Sequence, residues 1–148
     1  VTLHALLLAA AELLSVPATS SRAGALDAIE FATKDPREAV LMLVVAKAES
    51  DVQEHPRPQS WDARAGKANG LWQLWGPDGL KSPREQAVAW LALYHDGVRV
   101  CPASPLAPLS GGCLVPAARR LGERRERQAE QLQAEAELDV ALRTGGTP

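Results

Sequence analysis

This sequence is short of the residues that announce chemistry or compartment by themselves. It has three histidines, His4, His55 and His95, and two cysteines, Cys101 and Cys113. Neither cysteine sits in a CxxC or His-flanked pattern, so no metal site and no cofactor is expected. The net charge is −2 and the pI about 5.9, which leaves no cationic surplus to pair with phosphates and argues against nucleic acid as a partner. The one long run of Ala and Leu, from Leu3 to Leu14, is too short to cross a bilayer. No internal repeat and no convincing strand is visible, so a βαβ architecture is not expected.

What remains is an ordinary globular composition, 46% hydrophobic and 23% charged, in a length that suits one domain. Aromatics are only 4% of the chain, yet four of the six are Trp. A Trp-biased set suits either core anchors or a cleft that stacks sugar rings.

The patterning reads as almost all helix. Leu3–Leu14 forms a first helix, or alternatively the core of a secretory signal ending near Ala23-Gly24-Ala25. Residues 1–24 are thus set apart from a main body at 25–143, and 144–148 should fray. A short helix over Ala25–Thr33 follows. The third helix carries a start signal: Asp35 as N-cap, Pro36 at the first position and Glu38 three residues after the cap. From Ala39 to Ala48 it is apolar almost all round, the mark of a central buried helix. Ser82, Pro83 and Glu85 repeat the start signal for a helix expected to stop near Gly97. A charged helix from Pro116 to about Leu142 closes the chain, its charges read as a solvated face.

Cys101 and Cys113 bound a loop rich in Pro and Gly. Two unrelated buried thiols would fit, but a disulfide is the expectation. Closing such a loop stabilises by roughly 3 kcal/mol in the chain-entropy picture, and it implies an oxidising compartment.

Chemistry is expected at Glu49-Ser50, where the buried helix ends. Partial desolvation and the negative end of the helix dipole both favour a protonated carboxyl there, the state a general acid needs. Gly70-Leu71-Trp72-Gln73-Leu74 follows 21 residues after Glu49. Its glycine permits close backbone approach, Trp72 can pack a sugar face, and Gln73 can hydrogen-bond ring substituents. Read singly, Glu49 suits a solvated helix end and the second segment a piece of core.

Together, Ala48-Glu49-Ser50 and Gly70-Leu71-Trp72-Gln73-Leu74 resemble the catalytic core of lytic transglycosylases of the lysozyme superfamily. The resemblance spans about Ala25 to Gly112. It departs from the family at the Tyr-Asn-Ala-Gly-like turn, where Leu109-Ser110-Gly111-Gly112 keeps only the small residues, and Tyr94 is a poor positional match for the missing aromatic.

The resemblance implies an all-α, lysozyme-like domain around a central helix, with at most a minor β element. It implies cleavage of the β-1,4 bond after N-acetylmuramic acid in peptidoglycan. Glu49 would act first as acid and then as base, giving a 1,6-anhydro product without consuming water. Ser50, Gly70, Trp72, Gln73, Trp61 and Tyr94 are the candidate substrate contacts. The protein would be a monomer, periplasmic or extracellular, with a phage origin open. Two alternatives stay open. A second carboxylate (Asp51, Glu54 or, best, Asp62) would make a muramidase. An incomplete cleft would make a non-catalytic glycan-binding, envelope or phage module, and the charged last helix would also suit a plain interaction protein.

Overall fold

The computed structural model describes residues 1–54, 68–101 and 116–145, with the side chains of 116–119 left out of the description. Five helices stand among these residues: α1 (Leu3–Leu13), α2 (Ser20–Ala32), α3 (Pro36–Ser50), α4 (Pro83–Val100) and α5 (Pro116–Arg143). Strands β1 (Ala68–Asn69) and β2 (Leu74–Trp75) form an antiparallel hairpin, with Ala68 opposite Trp75 and Asn69 opposite Leu74. A 3₁₀ turn, Gly76–Leu80, leads into α4. The fold is all-α with one small hairpin.

α3 is the axis of the core. Every residue from Ala39 to Ala46 is at most 2% exposed. At about 1.5–3 kcal/mol for each large apolar side chain buried, this one helix supplies a major share of the hydrophobic stabilisation. α5 packs across α3 and α1, while α4 packs on α2. Residues of α1, including Leu6 and Leu7, belong to the same core cluster as those of α3. α5 contributes Ala129, Leu132, Ala136 and Val140, a stripe at helical spacing that is narrow because the rest of the helix faces water.

Ion pairs clamp the polar rims of these packings. Arg84 meets Asp27 through two bonds, Nε to Oδ2 at 2.8 Å and Nη2 to Oδ1 at 3.0 Å, with its guanidinium 4.7 Å from the Phe31 ring centre. Arg37 reaches Glu126 and Glu130 on α5, and Arg143 reaches Glu12 on α1.

Some elements depart from expectation. α2 begins five residues early, because Thr19 caps it by accepting the Arg22 amide at 3.3 Å. At α3, Asp35 caps by accepting the Arg37 amide. Glu38 does not close the box. It accepts the Thr33 hydroxyl at 2.8 Å and faces His95 of α4. At α4 the Ser82 hydroxyl caps by accepting the Glu85 amide, and it donates to the Glu85 carboxylate at 2.9 Å, a side-chain bond in place of the backbone bond that closes a full box. α4 also runs past Gly97 to Val100, and the Cys101 amide closes its last turn on the Gly97 carbonyl. The loop partner expected for Cys101, Cys113, lies outside the described residues, as do Trp61, Asp62 and the 109–112 segment.

Candidate active site

α3 ends in a tight reversal. The Asp51 amide donates to the Lys47 carbonyl and the Val52 amide to Ala46, with Asp51 and Val52 at φ 56° and 55°. The two bonds span four and six residues, and two consecutive left-handed residues, neither of them glycine, turn the chain. The reversal leaves Glu49 on the solvent side of the last turn and Ser50 on the core side, one exposed and one 2% exposed.

Glu49 is open to water on one side, yet the protein packed around it raises its carboxyl above the ordinary value of 4.5. Burial of its surroundings is the main cause, and the positive charge of Arg125 on α5 partly opposes it. Arg125 is half-buried and lies between Gly122 and Ala129, both buried on the inward stripe of α5. Its charge suggests a solvated face; the signal that turns it inward is its spacing of three residues from Gly122 and four from Ala129. Among the described residues Glu49 makes no hydrogen bond or ion pair. Its neighbour Asp51 is taken by Lys47.

Ser50 joins the two sequence motifs. Its Oγ lies 2.7 Å from the Leu71 carbonyl and 3.0 Å from the Ala46 carbonyl. The hydroxyl has one proton to give, and the shorter contact is the bond across the fold. Leu71 is held from the other side as well, its amide donating to Gln86 Oε1 at 3.0 Å. The Gly70–Gln73 turn therefore sits between the end of α3 and the start of α4.

This geometry moves several candidates from contact to scaffold. Ser50 is a buried strut and presents no hydroxyl to solvent. Gly70, at φ 79°, is a glycine because a Cβ there would lie 2.2 Å from Gln86 Oε1 and 2.6 Å from the Gly79 carbonyl. The close approach is to the protein itself rather than to substrate. Trp72 is 2% exposed and its indole N–H donates to the Met42 carbonyl of α3 at 2.9 Å, so it has no face free for a sugar.

Tyr94 is buried against Trp90, the rings stacked with centres 5.4 Å apart. Its hydroxyl pKa is raised by burial first, then by Glu126, with further influence from Arg37, Glu38 and Asp35. Arg37, Glu38 and Asp35 stand at the beginning of α3, and Glu126 on α5 is the neighbour of Arg125. Gln73 is the exception: it is half-buried at φ 51°, with its amide nitrogen donating to the Gly70 carbonyl at 2.9 Å. Trp75, 59% exposed on β2, is the exposed tryptophan among the described residues.

Two clefts among the described residues lie elsewhere. One, of about 420 Å³, runs between α1 and α2 past His4, Arg22 and Glu30. The other, of about 260 Å³, lies by Arg37, Glu126 and Glu130. Glu49 lines neither. Among the described residues no cluster of His, Cys, Asp and Glu is arranged to hold a metal ion, and no helix is long and apolar enough to cross a membrane.

In comparison with known proteins, no family model, no curated protein and no solved structure matches the chain.

Proposed function

We propose that this chain is a glycan-cleaving enzyme of the lytic transglycosylase type, acting on peptidoglycan, with Glu49 as its single acid and base. The observation that carries this reading is the Ser50–Leu71 bond. It ties the helix end that bears Glu49 to the Gly-Leu-Trp-Gln turn, the two segments on which the resemblance rests. Support also comes from the raised Glu49 carboxyl, since a group protonated nearer neutrality can donate to a glycosidic oxygen. Glu49 protonates that oxygen, and the substrate's acetamido group stabilises the positive charge developing at the anomeric carbon. The glutamate, now a base, takes the proton of the sugar's 6-hydroxyl as that oxygen closes on the anomeric carbon. The proton given in the first step is recovered in the second, and a 1,6-anhydro sugar leaves. Single-carboxylate, substrate-assisted routes of this kind are known exceptions to the two-carboxylate scheme.

A second reading is a glycan-binding module on the same scaffold. The burial of Trp72 and Tyr94 favours it, because it removes two of the aromatics a catalytic cleft was expected to use. Either reading places the protein in the periplasm or outside the cell.

The test is a digest of purified peptidoglycan with the wild type and with Glu49→Gln, read by mass spectrometry. Fragments lighter by one water, absent with the variant, are the expected result. Hydrated reducing ends would make the enzyme a muramidase. Intact glycan bound by folded protein would leave the binding module.

A further inference from the structure

Gln86 takes no part in the resemblance and lies one residue beyond the Ser82–Glu85 start of α4. It is nevertheless one of three buried polar side chains among the described residues, at 2% exposure. Both ends of its amide are used. Oε1 accepts the Leu71 amide at 3.0 Å, and Nε2 donates to the Lys81 carbonyl at 2.7 Å. The second bond holds the side chain against its own helix start, so the first holds Leu71 at a fixed place.

Leu71 is therefore gripped through both its backbone amide and its backbone carbonyl by two different helices. Ser50 of α3 donates to its carbonyl, and Gln86 of α4 accepts from its amide. Gly70 and Gly79 are the residues that let this happen. A Cβ on Gly70 would strike Gln86, and a Cβ on Gly79 would lie 2.5 Å from the Asn69 carbonyl and 2.7 Å from that of Leu74. Two positions along the chain, Gln73 stands in the left-handed region at φ 51°. A non-glycine residue there persists only where its surroundings hold it, and such strain gathers at functional turns.

We propose that Gln86 is a positioning residue which, paired with Ser50 across the Leu71 peptide, fixes the Gln73 turn relative to Glu49 for glycan cleavage. This rests on the enzyme reading above. A glutamine suits the task because it accepts and donates at once without carrying charge into the core. A glutamic acid does the same while protonated: its carbonyl accepts the Leu71 amide and its hydroxyl donates to Lys81. Once ionised it loses the donor.

The experiment uses the full chain, with Gln86→Met and Gln86→Glu, measuring amide hydrogen exchange at Leu71 and Val44 and cleavage of peptidoglycan across pH. In Gln86→Met, Leu71 exchange should quicken about tenfold, the loss of one buried bond, with Val44 in the core of α3 unchanged. The kcat should fall roughly tenfold to a hundredfold with KM nearly kept, as misplacement of a site predicts. In Gln86→Glu, activity should gain an extra loss with rising pH that the wild type lacks. Equal acceleration of Leu71 and Val44 would reduce Gln86 to a general stabiliser and overturn the proposal. So would a wild-type pH profile in Gln86→Glu. A wild type that leaves glycan intact would sink the enzyme reading and the positioning role with it, while slow Leu71 exchange lost in Gln86→Met would still establish the grip itself.

Discussion

Replacing Gly70 with alanine is the sharpest test of how the turn is held. The added methyl would lie 2.2 Å from Gln86 Oε1, 2.7 Å from Gln86 Cδ and 2.6 Å from the Gly79 carbonyl. The Gly79 contact is backbone and cannot swing away. Gln86 can move only by releasing the Leu71 amide, which is buried and has that oxygen as its partner. An L side chain at φ 79° costs about 1–2 kcal/mol. A stranded buried amide costs about 1–3 kcal/mol. Stiffening of the unfolded chain returns about 0.4–1 kcal/mol. The net is a destabilisation of roughly 2–4 kcal/mol, set against a total of about 5–15 kcal/mol for a domain. In a chain of this size that lowers Tm by roughly 5–15 °C. Urea unfolding followed by tryptophan fluorescence measures it. Gly24→Ala is the control, since nothing lies within 4 Å of a Cβ there and α2 should gain roughly 0.5–1 kcal/mol. A Gly70→Ala midpoint within about 1 kcal/mol of wild type would refute the grip on Leu71, because strain alone accounts for that much.

Arg125 holds the Glu49 carboxyl down against the effect of burial. Arg125→Gln should therefore move the alkaline limb of the cleavage-rate profile to higher pH, and an unmoved limb would mean another group sets it. Glu49→Gln should be more stable than wild type at pH 7. The folded protein keeps the Glu49 proton above pH 4.5 where the unfolded chain loses it, so wild-type stability falls as pH rises through the folded value; the gap should close near pH 4 in urea midpoints. Trp72→Phe removes the donor to the Met42 carbonyl and part of a buried ring, and should cost about 2–4 kcal/mol in the same assay. Cys101 and Cys113 should resist alkylation until a reductant is added, with the mass of the intact chain as the readout; uptake of two labels without reductant would rule out the bond.

The fold was legible wherever one signal dominated. α3 announces itself through the Asp35-Pro36 start and its unbroken apolar body, and α4 through Ser82-Pro83-Glu85. Both signals are local, written within a single turn or along a single face. The hairpin was not legible, because two residues per strand leave no period to read and its stability comes from elsewhere. Ser50 and Gln86 hold it from outside, through bonds spanning 21 and 15 positions. The early start of α2 was missed for a related reason. The apolar residues of α2 begin only at Ala25, while its cap, Thr19, stands six positions earlier in a small polar stretch.

The placement of Glu49 was legible in the sequence, and the burial of the aromatics was not. The position of Glu49 at the exposed end of a buried helix is readable from the apolar run before it, and the structure places it there; its role as the acid belongs to the proposed function. Trp72 suits a platform in the sequence because its ring can pack a sugar face, but the same indole can donate a hydrogen bond inward, and the Met42 carbonyl accepts it. The pleat then decides the rest. Leu74 points into the core, so its neighbour Trp75 must point out, and it is 59% exposed opposite the small side chain of Ala68. A glycan contact on this hairpin, if it uses a tryptophan, falls to Trp75. On the proposed reading a Glu49→Gln variant binds without cutting, and replacing Trp75 by alanine in that background should weaken retention on insoluble peptidoglycan several-fold, about 1 kcal/mol for one aromatic contact. Retention equal to that of Glu49→Gln alone would leave the hairpin a scaffold throughout, with sugar recognition resting on other segments.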